Sequence, residues 1–220
     1  RGRGILLPMI ELFYLPGSAA MAAQAAIEEV GLEYVAVPVV REQGRAVSPA
    51  GFLELNPHGR VPTMVEGDLV MYEAAAIVLH LGDRHPESGL LPPAHTDARS
   101  HAFRWLVYLT NTVQSTFMWF FYPDRYVGED ADACKAVVGG TARQLDSMFH
   151  WIDSQLAGRE YVLGEFSGVD LYLHMLTRWG RNLPRKAWTL PNLGQHYRLL
   201  SERPSVARMM QRQGIEPYPE

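Results

Sequence analysis

The chain has 220 residues, 47% hydrophobic and 20% charged, the balance of an ordinary globular protein with room for two small domains. A net charge of −4 argues against a nucleic-acid partner, which calls for clustered Lys and Arg, and no apolar run approaches the roughly 20 residues of a membrane-spanning helix. The single cysteine, Cys134, forbids an internal disulfide, suits a reducing cytoplasm and reads as a small apolar filler. Met9 reads as a natural initiator; residues 1–8 lack a signal-peptide layout, are expected to be added or upstream sequence, and are left out of the fold reading. Ile10 to Tyr14 is a short apolar run stopped by Leu15-Pro16-Gly17, hence a buried strand. Ser18 then caps an Ala-rich helix, Ala19 to Val30, closed by Gly31. Glu33 to Val40 is a second strand, with Pro38 placing it near an edge.

Ser48-Pro49 opens a short helix that stops before Asn56-Pro57. After the Val61-Pro62 bond, which can be cis at modest cost, strands Thr63–Glu66 and Leu69–Tyr72 flank a Gly67-Asp68 turn, and Glu73 opens a helix. The order β-α-β-α-β-β-α results, with the first two strands parallel through a right-handed crossover. Between His85 and His95 three prolines and a glycine erase any periodicity, which marks a linker. Beyond it the periods are helical. Phe103, Leu106, Val107, Thr110, Val113 and Phe117 trace one stripe, and Leu145, Met148, Phe149, Ile152 and Leu156 another. Ser167 to Asp170 fits a capping box ahead of a helix that is apolar nearly all round to Trp179, and this accounts for Asp170 without a catalytic role. Leu193–Ser201 and Ser205–Gln213 finish the chain. The expected domains are 9–85 and 96–220, joined by 86–95.

Two features around the hairpin suit a peptide ligand. With a cis bond, Val61 turns its backbone N–H and C=O outward, free to pair with an extended chain. The N-terminus of the Glu73 helix offers unpaired N–H groups and partial positive charge to a carboxylate. The eight histidines have no ligand spacing, so no metal is expected.

The pattern Asn-Pro-x-Gly-x-Val-Pro over residues 56–62, then a hairpin, then Tyr72-Glu73-Ala74 with Ala76, Ile77, His80 and Leu81, resembles the glutathione transferase family from about Met9 to near the C-terminus. The resemblance implies an α/β thioredoxin-like domain that binds glutathione, followed by an all-α helical bundle. The first turn, Tyr14 to Ala19, looks like the serine-type version of insect delta-class enzymes, with the match on Ser18. The bacterial beta class, which the rest resembles more, carries cysteine one position later, where this chain has Ala19. The implied role of Ser18 is to donate a hydrogen bond to the glutathione sulfur. Lowering a thiol by roughly two units takes about 2.7 kcal/mol. One hydrogen bond to an anion supplies about 1.5–3 kcal/mol and a helix N-terminus about 0.3–1 kcal/mol, so the serine and its helix suffice. Tyr14, matching the tyrosine-type enzymes, is the second candidate; the bland readings are a helix cap for Ser18 and a core residue for Tyr14.

By the same resemblance Val61 and Pro62 hold the cysteinyl backbone, Glu73 takes the γ-glutamyl ammonium, and His58 and Arg60 reach the glycyl carboxylate, unless those two are solvated loop residues. Ala74 stands where the family usually has a serine that binds the γ-glutamyl carboxylate, a loss expected to weaken binding about tenfold to a hundredfold. The second substrate is expected against the first long helix of the bundle, near Leu15, with Asn111 and Gln114 at i and i+3 on one face, where the beta class has Ser-x-x-His; paired polar groups inside the bundle is the rival reading. The expected protein is a homodimeric bacterial detoxification enzyme of the cytoplasm, directing glutathione thiolate at a small apolar electrophile. A glutathione-dependent isomerase, lyase or disulfide reductase, and a non-catalytic binding module, are the alternatives.

Overall fold

A computed structural model of the chain describes residues 9–42 and 45–217; the reading of residues 1–8 lies outside the described residues. The chain divides into two compact units, one of residues up to Ser88 together with those from Pro204 onward, the other Gly89–Arg203.

In the first unit β1 (Ile10–Tyr14), α1 (Ala20–Val30) and β2 (Tyr34–Pro38) form a β-α-β unit whose strands pair in parallel from Ile10↔Tyr34 to Tyr14↔Pro38. Ala20 through Glu28 of α1 are all buried, which small side chains permit because helices can close on them from several sides. Gly31 at φ 78° ends the helix in the left-handed conformation that glycine adopts without cost. The second strand is shorter than expected. Pro38 cannot extend a ladder, Val39 turns inward to donate its N–H to Tyr14 O at 2.9 Å, and Val40 begins a separate antiparallel pair, β3 (Val40–Glu42) with β4 (Arg45–Ser48). After α2 (Phe52–Leu55) come β5 (Thr63–Glu66), β6 (Leu69–Tyr72) and α3 (Ala74–Arg84), giving a sheet of order β2-β1-β5-β6 in which only β1 and β2 are parallel. This is the expected thioredoxin-like arrangement, with Pro38 on an edge strand.

The second unit is helical: α4 (Asp97–Tyr108), a π-helical stretch Leu109–Gln114, α5 (Ser115–Phe121), α6 (Asp124–Val127), α7 (Ala131–Gln155), α8 (Gly168–Trp179) and α9 (Pro191–Glu202). Thr96 and Asp130 cap α4 and α7 through side-chain oxygens. The stripe read on the first of these helices holds in part: Leu106, Val113 and Phe117 are buried as expected, but Phe103 and Val107 are 45% and 61% exposed, and Ala102 and Leu109 are buried in their place. Two adjacent faces of this segment are apolar, and sequence period alone did not distinguish them. On α7 the expected Leu145, Phe149, Ile152 and Leu156 are buried. Cys134 of α7 is half-buried and donates its thiol to Gly128 O at 3.3 Å, rather than filling the core. The final helix, α10 (Pro204–Gln213), packs on α1 of the first unit and not in the bundle where the sequence reading placed it. No helix among the described residues is long and apolar enough to cross a membrane.

α8 is buried on almost every side, and its N-terminus carries the expected capping box. Asp170 accepts from Ser167 N (2.8 Å), Ser167 Oγ (3.1 Å) and Val162 N (2.9 Å) and meets His196 Nε2 of α9 at 3.0 Å, all buried. One turn on, His174 is stacked on the Tyr197 ring at 4.6 Å. Ser201 Oγ donates to Tyr197 O, so in its 3.0 Å contact with His174 Nε2 the serine oxygen accepts and the imidazole donates. Burial first, then the neighbouring His196 and Arg178, lower the His174 pKa from 6.5 to about 3. Below its ordinary pKa the unfolded chain protonates this residue while the folded chain does not, so the stability contribution is complete above about pH 6.5 and declines as pH falls toward 3. His174→Gln, which keeps a polar contact for Ser201, is expected to flatten the pH dependence of the unfolding free energy between pH 6 and 4 by up to about 1.4 kcal/mol per pH unit, measured by denaturant titration at each pH.

Candidate active site

The strand registers collect the candidate residues at one end of the sheet. Phe13 pairs with Thr63, and Thr63 with Tyr72, so three strand ends lie in one row. β1 leaves that row into Tyr14–Ser18, β5 enters it from Val61–Pro62, and β6 leaves it into Glu73. Neighbouring strands lie about 4.8 Å apart, so the row spans about 10 Å. Behind it, Phe13, Val39 and Phe52 form a buried cluster against which both Leu15 and Val61 pack. Leu15, expected at a substrate pocket, therefore spends part of its surface seating the first turn.

In that turn Gly17 takes φ 72°, and Leu15 O accepts two bonds from Ser18, from its N–H at 3.2 Å and from its hydroxyl at 2.7 Å. Ser18 Oγ also accepts from Ala20 N–H at 3.2 Å. The serine is thus a brace of the turn one residue before the formal cap, Ala19, whose side chain caps nothing. Ser18 and Tyr14 are both half-buried.

The loop from Asn56 to Pro62 is built around a residue that the sequence reading passed over as one half of an Asn-Pro turn. Asn56 is 1% exposed and uses its whole amide: Nδ2 donates to Arg60 O (2.9 Å) and Thr63 Oγ1 (3.0 Å), and Oδ1 accepts from His58 N–H (3.1 Å). The short polar side chain followed by Pro57, seven residues before a buried threonine, was the available signal. The Val61–Pro62 bond is cis, as expected. His58 and Arg60 are exposed, and the His58 ring meets Tyr72 edge-on at 5.7 Å.

Glu73 is exposed and sits at φ 72°, ψ 110°, a conformation that costs a non-glycine residue about 1–3 kcal/mol. Its carbonyl accepts the first bond of α3, from Ile77 N–H at 3.1 Å. Ala74, 3% exposed, follows with no hydroxyl to offer.

Asn111 and Gln114 do not share a face. Both belong to the π-helical stretch, whose wider turn breaks the i, i+3 adjacency of an α-helix. Gln114 accepts the Tyr172 hydroxyl of α8, which is the bundle-pairing reading. Asn111 is exposed and, with Thr112, Ser115, Thr116 and Trp119, lines one wall of a groove of about 470 Å³ whose other wall is α7.

A thioredoxin-like α/β unit with these three segments at one sheet end, followed by a helical unit, defines the class of protein. The family model for the glutathione S-transferase N-terminal domain matches residues 8–83. An uncharacterized GST-like protein of Escherichia coli, YncG, is 31% identical over 186 residues, covering 84% of this chain and 87% of its own. The crystal structure of a glutathione transferase from Methylococcus capsulatus superposes with a TM-score of 0.81 at 28% identity, over 94% of this chain and 99% of that one. A sphingomonad glutathione S-transferase complexed with glutathione does so with a TM-score of 0.81 at 27% identity, over 94% and 100%. The chain belongs to the glutathione S-transferase family.

Replacing Asn56 by alanine leaves Thr63, Arg60 O and His58 N–H short of a partner. Asn56→Ala is expected to cost about 2–3 kcal/mol, read as a lower denaturant midpoint at unchanged slope.

Proposed function

We propose that the chain is a glutathione transferase of the bacterial cytoplasm, acting as a homodimer, in which the thiolate of bound glutathione attacks a small apolar electrophile. The observation that carries the reading is the row Phe13–Thr63–Tyr72, which spreads three ligand-facing segments over about 10 Å. An extended tripeptide has the same reach, about 10 Å. Val61 would pair with the cysteinyl backbone, its cis neighbour Pro62 beside it. Glu73, held exposed in a costly conformation, would take the γ-glutamyl ammonium, and the N–H groups starting at Ala74 its carboxylate. His58 and Arg60, exposed on the loop tied by Asn56, would meet the glycyl carboxylate. The sulfur would then lie at the first turn, next to Ser18. The bacterial relatives and the lone cysteine support the compartment.

The Ser18 hydroxyl donates to Leu15 O at 2.7 Å. A thiolate is the stronger acceptor, since charge-assisted hydrogen bonds are about twice as strong as neutral ones. The hydroxyl would rotate to the sulfur while the Ser18 N–H keeps Leu15 O occupied. The same bond favours a second reading, a glutathione-binding module without conjugation chemistry, because the brace and Ala74 are both explained without catalysis. Thiolate absorbance during a glutathione titration separates them. Conjugation predicts ionisation of the bound thiol below pH 8, abolished in Ser18→Ala and retained in Tyr14→Phe. A module predicts calorimetric binding with no thiolate in any variant, and no binding at millimolar glutathione defeats the first reading altogether. Ala74→Ser, which returns a hydroxyl to the head of α3, is expected to tighten glutathione about tenfold by calorimetry.

A further inference from the structure

A line of hydrogen bonds crosses the first unit and ends on the candidate catalytic turn. Gly17 N–H donates to Gln213 Oε1 at 2.9 Å, across 196 residues of sequence. Gln213 Nε2 donates to Gln24 Oε1 (2.7 Å), Gln24 Nε2 to the Tyr34 hydroxyl (2.8 Å), and that hydroxyl to Glu28 Oε1 (2.7 Å). Arg208 and Arg212 of α10 close the line on Glu28 at 2.7 and 2.9 Å. Gln24, Glu28 and Gln213 are all buried. A backbone N–H can only donate and a carboxylate can only accept, so the line runs in one direction and each amide must lie one way round. Burial, with the Glu28 carboxylate next, pushes the Tyr34 phenol up, so its proton stays in place at any physiological pH.

The end at Gly17 has the mechanical consequence. Gly17 is the left-handed residue of the turn, free of the steric restraint that a side chain would impose, and it directly precedes Ser18. The Ser18 N–H bond to Leu15 O holds the peptide that follows Gly17, and the Gln213 bond holds the N–H of the peptide that precedes it. We propose that Gln213 is a positioning residue of the active site: by holding the Gly17 N–H it anchors the peptide that leads into Ser18, and with it the position from which the hydroxyl addresses the glutathione sulfur, so that α10 completes the catalytic turn. The inference rests on the transferase reading above. It assigns to a residue at the other end of the sequence the precision that the hydroxyl needs, because a small misplacement of a reacting group already slows the reaction.

Gln213→Met removes the Gly17 acceptor. Ser205→Ala removes a different bond between α10 and α1, from Ser205 Oγ to Glu29 Oε2, leaves the line to Gly17 whole, and so serves as the control for stability alone. Two quantities are measured in both: amide hydrogen exchange at Gly17, and the pH dependence of thiolate formation and conjugation with glutathione. Gln213→Met is expected to speed Gly17 exchange and to lower kcat about fivefold to tenfold with little change in KM, with the bound thiol titrating higher; Ser205→Ala is expected to lose thermal stability with less than about a twofold change in kcat. Equal losses of kcat in the two variants, or Gly17 exchange unchanged in Gln213→Met, overturn the inference. A wild-type chain that binds glutathione without ionising it overturns the transferase reading and the inference with it, and is told apart because it appears before any substitution is made.

Discussion

The pairing of Phe13 with Thr63 and of Thr63 with Tyr72 is the constraint on which the rest of the first unit depends. Side chains alternate along a strand, so a slip of one residue would exchange every inward and outward position of β5. It would also move Val61 away from the ends of β1 and β6. The middle member of the row is secured more tightly than a ladder alone would hold it. Thr63 is fully buried and its hydroxyl meets both Asn56 Nδ2 and Arg60 O, so the loop before the strand and the strand register hold each other in place. Glu73 depends on this. A residue at φ 72° persists only where its surroundings fix it, and here β6 fixes one side and the first bond of α3 the other.

Much of this was legible where local chemistry and tertiary structure agree. Gly67-Asp68 between two apolar runs gave the hairpin to the residue, Gly31 the end of α1, and Ser167 with Asp170 the start of α8. The misses share another cause. Phe103 and Val107 are apolar and helical in spacing, yet exposed, because which of two apolar stripes turns inward is decided by the neighbouring helices. The π-helical stretch Leu109–Gln114 has no composition of its own; Leu-Thr-Asn-Thr-Val-Gln reads equally well as α-helix, and only packing shows that Gln114 answers Tyr172. The return of α10 to α1 was invisible for the same reason: Gln213 and Gln24 are ordinary surface residues by type, buried here because each satisfies the other. Among the candidate site residues, those on the hairpin and its flanks could be placed from sequence because their neighbours are near in the chain. Asn111 and Gln114 could not.

Among the described residues each unit buries one carboxylate, and their partners show what each is for. Asp170 is fully buried and answered by two backbone N–H groups, a serine hydroxyl and His196, all within α8, its approach and α9. Removing such a partner set leaves an uncompensated charge, at about 3–5 kcal/mol, so this group fixes how the bundle closes. Glu28 is answered by a phenol and two arginines whose side chains are about half exposed, at 48% and 50%. Exposed guanidinium groups are already well solvated, so these pairs stabilise less than the Asp170 set does. What Glu28 supplies is direction. As the terminal acceptor it orders Tyr34, Gln24 and Gln213 in turn, and the last of these presents an oxygen, not an amine, to Gly17. Were the line to end on a donor instead, the Gln213 amide would turn its NH2 toward the Gly17 N–H and repel it. A charge one turn along α1 from Gln24 thereby orients the group that meets the first turn, and it does so through the hydrogen-bonded line rather than through its own field, which the two arginines largely neutralise.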